Sequence, residues 1–267
     1  MKKLLFLLSI LLLFCSCSCT MIKVMFGPGY ITHRTLKDVL KFTDSTGREV
    51  ILLPMCHVGK QKDYDEIRTY LDQLKADGYV TFFEGLADIS YPIDTISEYS
   101  YADLMNIKTL HPLTYHTDSL RADTLMRKTR RIMGESIELA NMPKNKFVAQ
   151  SPEILGLTTA QDIWVDYTLY DLIERYERKY GVVPLSDYDF ATPMDDPSYR
   201  ISRAAKGETN KYMFSRKFRE EALMRRILSS PHKKIAVVYG LGHTALNLKL
   251  ELRYLHHWTL DKKYKAK

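Results

Sequence analysis

Residues 49–86 read EVILLPMCHVGKQKDYDEIRTYLDQLKADGYVTFFEGL. Two apolar runs of strand length, 49–56 and 79–84, flank a stretch over 63–76 in which Tyr64, Ile67, Leu71 and Leu74 recur on one helical face. Asp77-Gly78 supplies the helix stop. Strand, helix and strand within roughly 35 residues have the size of a βαβ unit, which makes the two strands parallel. Pro54 has no amide proton, so the first strand is expected to end, or to lie at a sheet edge, near that residue.

The rest of the chain extends this pattern. Residues 118–141 and 161–180 carry helix-length amphipathic patterns, the second with Trp164, Tyr167, Leu172 and Ile173 as expected core. A short strand is expected at 146–149. Residues 181–210, rich in Pro, Asp and Ser, read as a long loop of the kind that tends to be functional or mobile. A helix is expected over 213–229 and a buried strand, KIAVVY, over 234–239. Gly240-Leu-Gly-His243 then opens a helix to about Tyr254, and a last strand is expected over 257–260. The expected fold is α/β. A single mixed sheet has flanking helices, and a helical insertion over about 86–230 separates the strand ending at Glu84 from the strand at 234–239. Residues 20–47 are a lead-in, 48–260 the α/β domain, and 261–267 a basic, solvated tail.

Composition bounds the function. With 267 residues, 45% hydrophobic and 27% charged, the chain is globular and of one or two domains. Gly 12 and Pro 10 are too few for a collagenous or linker-dominated chain, and 11% aromatic residues argue against disorder. The net charge of +7 sits at the ends. Without Lys2, Lys3 and the four lysines after Asp261, the interval 17–261 has 33 basic against 32 acidic residues. A nucleic-acid partner is therefore not expected.

Residues 1–19 read as a signal peptide. Lys2 and Lys3 precede an apolar run over 4–14 that is too short to span a bilayer, which takes roughly 20 residues. The run ends in Cys15, Cys17 and Cys19, a pattern like a bacterial lipobox. Cys17, preceded by small Ser16, is the expected lipidated residue, with Cys15 and Cys19 as alternatives. Acyl chains there would anchor an exported lipoprotein to a bacterial membrane, facing the periplasm or the outside. Cys56 is the one cysteine beyond this cluster, so no internal disulfide framework is expected.

The chemistry is expected where the strands end. There is no His-Glu-x-x-His helix, no Gly-x-Ser-x-Gly elbow and no Gly-x-x-x-x-Gly-Lys-Ser/Thr loop. The run from Gly240 to Ala245 fits the G-x-G-x-x-A dinucleotide fingerprint, with Asp261 suitably placed. A dinucleotide site is not expected, because the αβ units that should follow do not fit before residue 267. His243 also stands where a pyrophosphate would approach. The first strand ends in Pro54-Met-Cys-His57, the second in Phe82-Phe83-Glu84-Gly85 and the last in Gly240-Leu-Gly-His243. In an α/β sheet the ligand crevice lies beyond such ends. Singly, each His reads as a loop histidine and Glu84 as a helix cap. As a set, two imidazoles and a carboxylate suit a divalent metal. Cys56 and His57, as adjacent strand residues, should point to opposite faces, so Cys56 is expected to be buried rather than paired with His57. His33, His111, His116, His232, His256 and His257 show no spacing that implies chemistry.

This arrangement resembles the TraB/GumN/Tiki superfamily, related more distantly to the erythromycin-esterase and ChaN-type proteins. PMCHVGKQKDYDEIRTYLDQLKADGYVTFFEGL at 54–86 resembles its first His motif, helix and Glu-Gly strand end. FREEALMRRIL at 218–228 resembles its Arg helix, with Arg219 in the Arg position. IAVVYGLGHTALNLKLELRYL at 235–255 resembles its closing motif, with Gly240 and His243 in register. The chain departs at Pro54, where the first motif has Gly, at Glu220, where Asn or Asp follows the Arg, and at Leu246, where a Gly is common. The resemblance implies a mixed sheet with flanking helices. It also implies a divalent ion (manganese, cobalt or zinc) gathered by His57, Glu84 and His243, with Gly85, Gly240 and Gly242 as supporting backbone. Hydrolysis of a peptide or amide bond would follow by a metal-activated water, with Arg219 as oxyanion stabiliser and Glu84 as ligand or general base. The alternative expectation is a non-catalytic surface or periplasmic lipoprotein that keeps the fold and binds a peptide or other ligand.

Overall fold

The computed structural model describes residues 36–266, except 88, 90–92, 94–97, 110–114, 134–147, 195, 197, 205, 206 and 208. The strands are β1 (Leu40–Thr43), β2 (Glu49–Met55), β3 (Val58–Gly59), β4 (Val80–Phe83), β5 (Tyr99–Ser100), β6 (Val148–Ala149), β7 (Asp162–Trp164), β8 (Lys234–Gly240) and β9 (Thr259–Leu260). The helices are α1 (Gln61–Ala76), α2 (Tyr101–Thr109), α3 (Tyr115–Met133), α4 (Pro152–Leu155), α5 (Leu169–Tyr180), α6 (Asp187–Ala191), α7 (Phe218–Ser229) and α8 (Leu241–His243). A π-helical segment, Met213–Lys217, leads into α7. Two more, Thr244–Leu248 and Glu251–Leu255, continue α8.

Seven strands form one mixed sheet in the order β5-β7-β4-β8-β2-β1-β9, and β3 pairs with β6 in a separate ladder. The central strands β7, β4, β8 and β2 are parallel, while β5, β1 and β9 pair antiparallel with their neighbours. The expected α/β class with a single mixed sheet is what forms. β2 and β4 are parallel, as the βαβ reading requires, but β8 lies between them. Pro54 is two residues past Leu52, the last β2 residue paired with β1, so on that side the strand is already an edge.

Alternation along the strands divides the core. Ile51, Leu53, Met55, Phe83, Ala236 and Val238 face one side and pack on Tyr64, Ile67, Tyr70, Leu71 and Leu74 of α1. Val50, Leu52, Phe82, Ile235, Val237 and Tyr239 face the other and pack on Leu223, Met224 and Ile227 of α7 with Leu248 and Leu252. A third cluster joins α3, α5 and Phe214.

Several expectations change. Residues 161–180 are not one helix. Asp162–Trp164 is a strand, and the helix starts at Leu169, where the Thr168 side chain accepts the Asp171 amide. A short apolar run followed by a cap looks helical when read by spacing alone. The insertion therefore contributes β5 and β7 to the main sheet as well as helices. The lead-in supplies β1. The 181–210 segment holds α6, and Arg127 and Arg130 donate to its carbonyls at Asp189 and Thr192. The tail is not free, since the Tyr264 hydroxyl bonds that of Tyr70 and its ring packs on the core. Cys56 is half-buried rather than buried. The expected helix beyond Met133, and Cys15, Cys17 and Cys19, lie outside the described residues.

Candidate active site at the strand ends

The strand order β2-β8-β4 sets adjacent carboxyl ends beside one another. His57 follows β2 at a bend, His243 lies in the first turn after β8, and Glu84 follows β4. They meet at the backbone of Gly240. A methyl group in place of its hydrogen would lie 3.1 Å from Glu84 Oε2, 3.5 Å from His57 Nε2 and 3.5 Å from His243 Cδ2. Gly240 thus keeps open the space that the three side chains share. At Gly242 a methyl would lie 2.7 Å from Arg216 Nη2, so this glycine makes room for a guanidinium. Gly85 has open space around it and contributes its amide instead.

Glu84 is the centre. Its side chain is 4% exposed. Oε1 accepts from Arg219 Nη2 at 2.8 Å and stands 3.6 Å from His243 Nε2, while Oε2 accepts the Gly240 amide. Burial alone would raise the pKa of this carboxyl. The Arg219 charge, then those of His243 and His57, and the Gly240 amide outweigh burial and hold it below the ordinary carboxylate range. A carboxylate held this way is a weak base, so the geometry favours Glu84 as a charged anchor or ligand over a general base.

Arg219 on α7 is held as firmly. Nε donates to Asp166 Oδ1 at 2.9 Å, Nη2 donates to Asp166 Oδ2, and Nη1 reaches the Ser215 carbonyl at 3.4 Å. Burial works against the guanidinium charge, but Asp166 and Glu84 more than restore it. Asp166 stands just past β7, has a fully buried side chain, and accepts the amides of Gly85 and Tyr167. Buried Tyr239 donates its hydroxyl to the Val165 carbonyl. Burial, reinforced by Asp166, pushes its pKa well up, so it stays protonated.

His243 is oriented from behind. Nδ1 lies 3.1 Å from Glu220 Oε1, and Glu220 Oε2 accepts from Asn247 Nδ2 at 2.7 Å. With Nδ1 held against Glu220, Nε2 is turned toward Glu84 Oε1, 3.6 Å away. Carboxylates that hold the far nitrogen of an imidazole in this way are typical behind metal-bound histidines.

The donor types, two imidazoles and a carboxylate, suit a divalent ion. Glu84, Asp166 and Glu220 are almost fully buried; among the described residues Arg219 bonds the first two, while Glu220 bonds His243 and Asn247. Among the described residues, however, no three His, Cys, Asp or Glu side chains are already gathered as a ligand cage. An ion would compete with Arg219 and Gly240 for Glu84.

Sequence reasoning placed His57, Glu84, Arg219 and His243 here, and the structure brings all four together. It missed Asp166, Glu220 and Tyr239. Asp166 was hidden by the helical reading of 161–180, and the strand-like DIWV before it was the available signal. Compared with protein-family models, with curated proteins and with solved structures, the chain has no match.

Arg219→Met should leave two buried carboxylates without their cation, a loss of about 3–5 kcal/mol. The pH dependence should change as well. The folded pKa of Glu84 is below its unfolded value, so its ionisation stabilises the fold above about pH 4.3 and this is lost as pH falls through the folded value. Without Arg219 the loss should begin at higher pH. Urea unfolding of both proteins across acidic and neutral pH, without added metal, measures this. Parallel stability profiles would contradict the clamp.

Proposed function

We propose that the protein is an exported, membrane-anchored hydrolase of the TraB/GumN/Tiki type that cleaves peptide or amide bonds with a divalent cation. The observation that carries the reading is the meeting of His57, Glu84 and His243 at Gly240. These three residues would hold the ion, and Glu220 fixes the His243 ring. The bound ion supplies Lewis acidity and lowers the pKa of water. Arg219 lines the adjoining cavity with a charge kept in place by Asp166, suited to steadying negative charge on a carbonyl oxygen. His57 is exposed and also lines this cavity, so it is open to a substrate.

A second reading has its own support. Glu84 already gives both oxygens to Arg219 and Gly240, as expected of a non-catalytic binding protein that keeps the fold. Assay of the purified full chain on a peptide library with manganese, cobalt or zinc separates the two. The hydrolase reading predicts cleavage that a chelator removes, with kcat/KM about 10²–10³-fold lower in Arg219→Lys, as for other oxyanion donors. Peptide binding without cleavage under every metal condition would support the second reading and exclude the first.

The anchor rests on residues 1–20. Among the described residues no helix is long and apolar enough to cross a membrane. Cys17→Ala should move the protein from the membrane to the soluble fraction of the expressing cells, and unchanged membrane association would contradict lipidation at Cys17.

A further inference from the structure

The two histidines of the cluster are held in opposite ways. The His243 ring is fixed directly, with Nδ1 3.1 Å from buried Glu220. His57 is exposed at its bend, and among the described residues no hydrogen bond reaches its ring. Its backbone is held instead. The ladder of β2 with β8 stops at Met55, paired with Gly240, so Cys56 and His57 lie beyond the main sheet. One residue past the β3–β6 ladder, the Gln150 amide donates to the His57 carbonyl at 2.8 Å. On the other side, the Tyr64 hydroxyl donates to the Cys56 carbonyl at 2.7 Å. These carbonyls belong to the two planar peptide units that flank the His57 Cα. Fixing both planes fixes the direction of its Cβ. Tyr64 is suited to the task, because it stands in the first turn of α1, is 2% exposed and packs in the same core cluster as Leu53 and Met55.

We propose that His57 is aimed through its backbone and that Tyr64 is its positioning residue. Acting through the Cys56 carbonyl, the Tyr64 hydroxyl directs the imidazole to the space over Gly240 that His57 shares with Glu84 and His243. The proposal rests on the reading of these three residues as ligands of a divalent ion. A ligand set binds tightly only where the groups behind it hold it in place beforehand. Glu220 does this for one imidazole, and Tyr64 does it for the other from the opposite face of the sheet.

Binding of cobalt(II) to the full chain, followed by dialysis and by the visible absorption of the bound ion, tests this without requiring turnover. Tyr64→Phe deletes one oxygen atom. It should raise the cobalt dissociation constant about 10–100-fold, the usual effect of removing a group behind a metal ligand, and change the absorption of bound cobalt. Tyr70→Phe is the control for lost stability. It deletes an equally buried hydroxyl from the same helix, bonded to Tyr264 rather than to the bend, and should keep the wild-type affinity and spectrum. Gln150→Pro removes the amide on the other side of His57 and should weaken cobalt by a similar factor, which keeps the test decisive if Tyr64→Phe does not fold. Unchanged affinity in Tyr64→Phe, or in Gln150→Pro where only that variant folds, would overturn the positioning role and leave the ion. Equal loss in Tyr64→Phe and Tyr70→Phe would do the same. No cobalt bound by the wild type would remove the ion, and the role of Tyr64 with it.

Discussion

The guanidinium of Arg219, shared between the carboxylates of Glu84 and Asp166, ties the functional end of the molecule together. It joins the ends of β4 and β7 to α7 and determines the charge on Glu84. His57 and His243 stand beside Glu84 at Gly240, and buried Glu220 holds the second of them in place.

Sheet topology brings these groups together. Because β8 runs between β2 and β4, motifs separated by some 150 residues of sequence end side by side. Alternation decides the face. Phe82 packs on the α7 side and Phe83 on the α1 side, so Glu84, two residues beyond Phe82, returns to the side from which Arg219 reaches it. Departures from regular helix flank the site, with π turns directly before α7 and directly after His243. Such turns are frequent at functional sites, where one extra residue per turn re-aims a side chain.

Much of this was legible in the residues. The strand ends at His57, Glu84 and His243 stood out because apolar runs of strand length stop abruptly at polar residues. Arg219 was not distinguishable from Arg216, Arg225 or Arg226 by spacing and emerged only through the family resemblance. Glu220 was visible as a departure from that family's pattern, yet its contact with His243 depends on helix packing that no local rule supplies. Asp166 was lost because a three-residue strand followed by a capped helix has the same spacing of apolar residues as one longer helix. The tail misled for a similar reason. Its lysines suggest solvent, whereas Tyr264 among them finds Tyr70 across 194 residues of sequence.

The proposed hydrolase requires one divalent cation held by His57, Glu84 and His243. Equilibrium dialysis of the full chain against manganese, cobalt and zinc, followed by elemental analysis, tests it most directly. The account predicts one ion per chain in the wild-type protein and none in His57→Ala or His243→Ala, with all three folded. Absence of any bound ion in the wild type, or an ion retained by both variants, would contradict it.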